Sequence, residues 1–228
     1  VERCRLWEIY DAALTNQSGG PLTPQYNIVY RRNVIWNSEY SFEYWNRPEE
    51  SETRHILFEN NTCFNAGSGW GHAQRPDPSG RHLCFYTSPA RAQDVVIRNN
   101  IFRGALENAF YAPTWPRAAV DALDMDHNCW FQPSGDMISV DKQRYPMAAF
   151  DAYRREYGKE PNSLTAEPGV VNAAEQDFHL RAGSPCIDAG GRTDPGADME
   201  GLPAPQGNAP DIGAYEYSPE HAKAGGEK

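Results

Sequence analysis

Lysine is absent before Lys142, no run of 18 apolar residues occurs, and no Cys-x-x-Cys pair exists. Each absence excludes something. Without a long apolar run, nothing reads as a bilayer-spanning helix. Five cysteines, at 4, 63, 84, 129 and 186, form neither a complete disulfide framework nor a zinc signature, so they read as core thiols. Positive charge is also scarce. Lys and Arg total 21 against 31 Asp and Glu, a formal charge of −10, which leaves no basic face for nucleic acid and no polybasic element for a membrane surface. GxSxG, Walker, HExxH and strand-following GxGxxG motifs are missing, which excludes a nucleotide cofactor and the common hydrolase signatures.

What is present suits one globular domain with a small appendage. In 228 residues, 39% are hydrophobic, enough to build a sizeable core. The chain opens at Val1 and is expected to be a mature product or part of a longer chain, with further repeats ahead of Val1.

Internal repetition is the strongest signal. Ile28–Asn37, Ile56–Asn65, Val95–Phe102 and Leu123–Trp130 each read apolar, x, apolar, x, polar, Asn, x, apolar. The alternation predicts a strand, and the Asn (33, 61, 100, 128) marks its bend. Cys4 occupies that slot in a weaker first copy. One repeat cannot bury its own apolar face, so repeats must stack. A column of Asn side chains then satisfies buried bends, each amide donating to one neighbour and accepting from the other. A second strand follows each bend, at 13–17, 41–45, 82–86 and 108–111. Period two places Leu14, Phe42, Tyr44, Leu83 and Phe85 inside, with Thr15, Gln17, Glu43, Trp45, Cys84 and Tyr86 outside.

These repeats resemble the right-handed parallel β-helix of the pectate-lyase-like superfamily over about residues 1–135. The resemblance implies an all-β solenoid. Residues 136–217 read as a capping segment in which Met147–Tyr157 predicts a short helix stopped by Gly158, with Phe150, Tyr153 and Tyr157 on one face. The order Gly183-Ser-Pro-Cys-Ile-Asp188, Asp198-Met-Glu-Gly-Leu-Pro203, Asp211-Ile-Gly-Ala-Tyr-Glu216 resembles the choice-of-anchor-Q ending of bacterial secreted β-helix proteins. Ala204 stands where that pattern carries Arg. The ending is expected to cover the open end of the stack. Asp188, Asp194, Asp198 and Asp211 suit either turn capping or a calcium ion. Residues 218–228 are expected to be a disordered tail.

The third repeat is about eleven residues longer than its neighbours. Its surplus, residues 67–82, carries Trp70, His72, Arg75, Arg81 and His82. Insertions at repeat corners often form binding faces. Glu39, Glu43, Trp45 and Tyr86 lie on adjacent strands, and Asp11 and Asn16 extend the strip. Aromatic rings stack on sugar faces, arginine binds carboxylates, and carboxylates serve as general acid and base. A lyase would use His72 or His82 as base, with Arg75 or Arg81 neutralising a uronate. A hydrolase would use Glu43 with Glu39 or Asp11. Trp45, Trp70, Tyr86 and Asn16 would bind substrate.

The resemblance implies a carbohydrate-active enzyme, a polysaccharide lyase or glycoside hydrolase, acting as a secreted or cell-surface monomer on an extracellular polysaccharide. A non-catalytic binding module and an adhesive spacer are the alternatives. No residue pattern assigns a metal site, and calcium is the one cofactor the composition suggests.

Overall fold

The computed structural model describes residues 1–18, 24–46, 52–68, 79–86, 92–193 and 196–224. The chain is mostly β and visits three sheets in rotation. The first sheet holds β1 (Arg5–Trp7), β4 (Val34–Trp36), β7 (Thr62–Ala66), β10 (Ile101–Ala105) and β13 (Cys129–Phe131). The second holds β2 (Ala12–Ser18), β5 (Tyr40–Asn46), β8 (Arg81–Phe85), β11 (Asn108–Ala112), β14 (Asp136–Val140) and β15 (Gln143–Pro146). The third holds β3 (Gln25–Arg31), β6 (Thr53–Glu59), β9 (Ala92–Arg98) and β12 (Leu123–Asp126). All pairings in these sheets are parallel except the β14–β15 hairpin.

The register matches the repeat residue for residue. Ile28 pairs with Ile56, Ile56 with Val95, and Val95 with Leu123. Where the repeat bends, Arg3, Arg32, Asn60, Asn99 and His127 take positive φ of 52–57° and turn the chain from the third sheet into the first. The next residue is the ladder position. Asn33, Asn61 and Asn100 each donate from Nδ2 to the following Asn Oδ1 at 3.0–3.1 Å, and Asn128 Nδ2 ends the column on the Glu160 carboxylate at 3.1 Å. Each of those Asn oxygens also accepts a backbone N–H from the preceding bend, starting with Cys4 N on Asn33 Oδ1. All four Asn are fully buried.

The interior is aromatic. Phe42, Phe58, Phe102 and Trp130 form a stack with centroid separations of 5.2, 6.2 and 4.4 Å. Burying each such ring contributes roughly 2–3 kcal/mol. Leu14, Phe42, Tyr44, Leu83 and Phe85 lie in this core, as period two predicts. All five cysteines are free; four are buried and Cys4 is half-buried. No helix among the described residues is long and apolar enough to cross a membrane.

The C-terminal third covers two surfaces. Helix α2 (Phe150–Tyr157) follows α1 (Arg117–Asp121) in the chain; its Phe150, Tyr153 and Tyr157 join the core beside Leu123, Met125 and Tyr145 at the end of the stack. Gly158 closes α2 with a left-handed φ of 61°. The remainder instead clads the outer face of the first sheet. Phe178, Leu180, Cys186, Ile212 and Tyr215 pack on Val34, Trp36, Phe64, Ile101 and Cys129. This extends the expected role of the ending, because the first sheet is apolar on both faces. The corner Asn residues bind the cladding: Asn60 Nδ2 donates to the Asp211 and Gly213 carbonyls, and Asn99 exchanges two hydrogen bonds with Gly191. Gly213, at φ 112°, runs so close that an added Cβ would lie 2.7 Å from Ile101 Cδ1.

Asp188, Asp198, Asp211 and Glu216 tie this segment together as turn caps. Asp198 accepts the backbone N–H groups of Glu200, Leu202 and Glu216, Asp211 those of Asp188 and Tyr217, and Asp188 that of Ala209. Asp194 lies outside the described residues. The tail expected to be disordered carries a helix, α3 (Pro219–Ala224), as far as it is described. Proline at its first position and the Ser218 hydroxyl accepting the Glu220 N–H start that helix.

Candidate functional site

The first sheet is clad, and the outer face of the second sheet bears an open polar cleft. On that face the register stacks outward columns. Thr15, Glu43, Cys84, Tyr111 and Ser139 form one, and Tyr40, Arg81 and Asn108 form another. Strand spacing places successive members about 4.8 Å apart, so the columns make a strip along the stack.

Arg81 is its electrostatic centre. The guanidinium lies 4.0 Å over the Tyr111 ring, pairs with Glu107 at 2.6 Å and donates to Tyr40 Oη at 3.4 Å. Tyr40 passes the connection on, donating to Glu39 Oε1 at 3.0 Å, and Ser79 Oγ donates to the same oxygen at 2.6 Å. Glu43 accepts from Thr15 Oγ1 at 2.9 Å. Above Arg81 a cleft of about 340 Å³ is lined by Glu107, Asn108, Tyr111, Asp136, Ser139 and Arg144. Two guanidinium groups and two carboxylates share it, so its formal charge cancels.

Burial shapes the acid–base character. Desolvation acts to lower Arg81, but neighbouring Cys84, Glu107, Tyr40 and Tyr111 more than offset it, so the guanidinium stays charged. Burial raises the Tyr40 phenol and pushes the Cys84 thiol up to about 12. Cys84 is therefore a poor nucleophile despite its place between Glu43 and Tyr111. Glu39 and Glu43 are almost fully enclosed.

The residues singled out from the sequence fall into three groups. Glu39, Glu43, Arg81, Trp45 and Tyr86 gather on the outer face, with Tyr86 at the end of β8 and its ring 5.7 Å from that of Tyr40. Asp11 lies at the strip's first edge, its carbonyl accepting the Tyr40 N–H. Asn16 and His82 belong elsewhere. Asn16 shares the inward register of Tyr44 and Phe85, and its amide donates to Gln25 Oε1 at 2.9 Å inside the stack. His82 is fully buried, 3.0 Å from Ser41 Oγ and packed on Phe102. Desolvation depresses its pKa to about 3, so it is neutral at ordinary pH and out of reach of a substrate. Trp70, His72 and Arg75 lie outside the described residues.

Tyr40, Glu107, Tyr111, Asp136, Ser139 and Arg144 join the site without being singled out by the sequence pattern. Tyr111 and Ser139 carry a usable signal, because they continue the Glu43–Cys84 column by period two. Glu107 and Arg144 sit outside the regular columns, beside β11 and on the antiparallel β15, where the repeat has no purchase. The chain matches no protein-family profile, no curated protein and no solved structure.

Proposed function

We propose that the chain is a right-handed parallel β-helix of the pectate-lyase-like kind, and that the outer face of its second sheet binds and cuts an extracellular polysaccharide. The three-sheet rotation and the Asn column support the architecture. The chemistry rests on one observation: the Glu39–Tyr40–Arg81–Glu107 chain of polar contacts, which runs from buried Glu39 and Tyr40 to Arg81 and Glu107 in the lining of an open, polar cleft.

A sugar chain presents many hydroxyls and flat apolar ring faces. Paired guanidinium and carboxylate groups offer donors and acceptors to the hydroxyls, and tyrosine rings receive the faces. The strip runs across several repeats, so it suits a polymer better than a small molecule. A balanced cleft on a chain of net charge −10 does not draw polyanions from a distance. Hydroxyl recognition leads, and a uronate carboxylate would engage Arg81 by displacing Glu107.

Glu39 and Glu43 supply general acid and base for glycosidic hydrolysis. Of the two lyase bases considered above, His82 is unavailable because of its burial, and His72 lies outside the described residues. The test is incubation with neutral and acidic polysaccharides, following new reducing ends and the ultraviolet absorbance of unsaturated products. Reducing ends without absorbance are expected, with Glu39→Gln and Glu43→Gln each slower by about 10²–10⁴. Absorbance would move the chemistry to elimination. Silence on every substrate would overturn the catalytic part of the proposal.

A further inference from the structure

A separate cluster lies on the cladding segment, away from the second sheet. His179 on β17 (Asp177–Leu180), which pairs with β16 (Val170–Asn172), Glu200 in a turn further along the chain, and His221 on α3 come together from positions 21 residues apart. His179 Nε2 is 3.2 Å from Glu200 Oε2, and His221 Nε2 is 4.0 Å from the same oxygen. One ligand atom from each residue lies within 4.8 Å of the others.

The surroundings orient this trio. The Asp177 carboxylate lies 2.7 Å from His179 Nδ1, behind the ring, and Nε2 faces Glu200. A carboxylate behind a ligating imidazole is the usual outer-shell partner in zinc sites. The His179 ring is also packed between Tyr215, at 4.2 Å, and His221, at 4.5 Å, so it cannot swing away. His221 Nδ1 is enclosed without a hydrogen-bond partner among the described residues.

We propose that His179, Glu200 and His221 bind one divalent transition-metal ion of the zinc class. Two imidazoles and a carboxylate suit zinc and disfavour calcium or magnesium, which take oxygen ligands. Tetrahedral bonds of about 2.0–2.1 Å place neighbouring donor atoms roughly 3.3 Å apart. The His179–Glu200 separation already meets that spacing; His221 closes by about 0.7 Å on Glu200 and by up to about 1.5 Å on His179. Water takes the fourth position. The ion ties α3 to β17 and so anchors the end of the chain on its cladding.

Calorimetric titration of the 228-residue chain with zinc ions alone tests this. One ion per chain is expected, at micromolar or tighter Kd, and unaffected by millimolar Mg²⁺ or Ca²⁺. His179→Ala and His221→Ala should each weaken binding at least 100-fold, and Asp177→Asn 10–100-fold. Zinc should raise the Tm of the unaltered chain but not that of the double alanine variant. His221 is nearly half exposed on a terminal helix, so its variant is expected to fold normally. Equal zinc binding by the double variant, or none tighter than millimolar in the unaltered chain, would overturn the proposal.

Discussion

Asn100→Ala is expected to lower the stability of the chain by about 3–5 kcal/mol, read as a shift in the denaturant midpoint at constant m-value. The Asn100 side chain accepts from Asn61 N at 2.9 Å and Asn61 Nδ2 at 3.0 Å. It donates to the Phe58 and Arg98 carbonyls and to Asn128 Oδ1. Alanine leaves several of these groups buried without partners, each costing roughly 1–3 kcal/mol with partial relaxation. Asn162→Ala is the control. Asn162 also uses its amide, donating to Asp126 at 2.7 Å, but at the exposed surface, and its loss should cost under about 1 kcal/mol because water replaces it. Equal losses at the two positions would contradict the ladder's role.

Glu160→Gln is expected to change the pH dependence of stability. Glu160 ends the Asn column in full burial, with Asn128 Nδ2 and Ser163 Oγ on its carboxylate. Desolvation raises its pKa from 4.5 to about 7, against the lowering effect of those donors. A folded-state pKa above the unfolded value means that the folded chain holds more protons between those limits. Stability therefore falls as pH rises from about 4.5 to 7 and stays reduced above. The loss is on the order of 3 kcal/mol. Glutamine keeps an acceptor for Asn128 and cannot ionise. The variant should match the unaltered chain near pH 4.5 and exceed its stability by about 3 kcal/mol at pH 8. Some slope should persist, because burial also raises Glu216 to about 7. A stability loss in the variant that is uniform with pH would contradict this account.

The Asn column is legible in the sequence because a buried bend has few solutions, and a side-chain amide that both donates and accepts is one of them. The strand faces are legible through period two, which puts Glu43, Trp45 and Tyr86 outside and Phe42, Tyr44 and Phe85 inside. The rule breaks at the corner into β5 and β8. There Ser41 and Phe42 both face inward, as do His82 and Leu83. Parity resets by one residue, and His82 changes from a surface base into a core imidazole. Asn16 neighbours the strip in sequence, but its own register puts it with Tyr44. Division into three sheets is hidden because Arg3, Arg32 and His127 take the left-handed corner as readily as Asn60 and Asn99. The cladding of the first sheet and the His179–Glu200–His221 cluster depend on contacts between distant segments, which leave no local spacing to read.

Arg81 is the electrostatic centre of the outer face of the second sheet, and its removal should weaken recognition there. Binding of the 228-residue chain to polysaccharide oligomers should be measured alongside Arg81→Ala and Arg98→Ala. Arg98 pairs with Glu59 on the third sheet, so its variant controls for lost positive charge. Arg81→Ala is expected to weaken binding at least tenfold, while Arg98→Ala leaves it unchanged. Equal binding by all three chains would show that the ligand does not sit on this face.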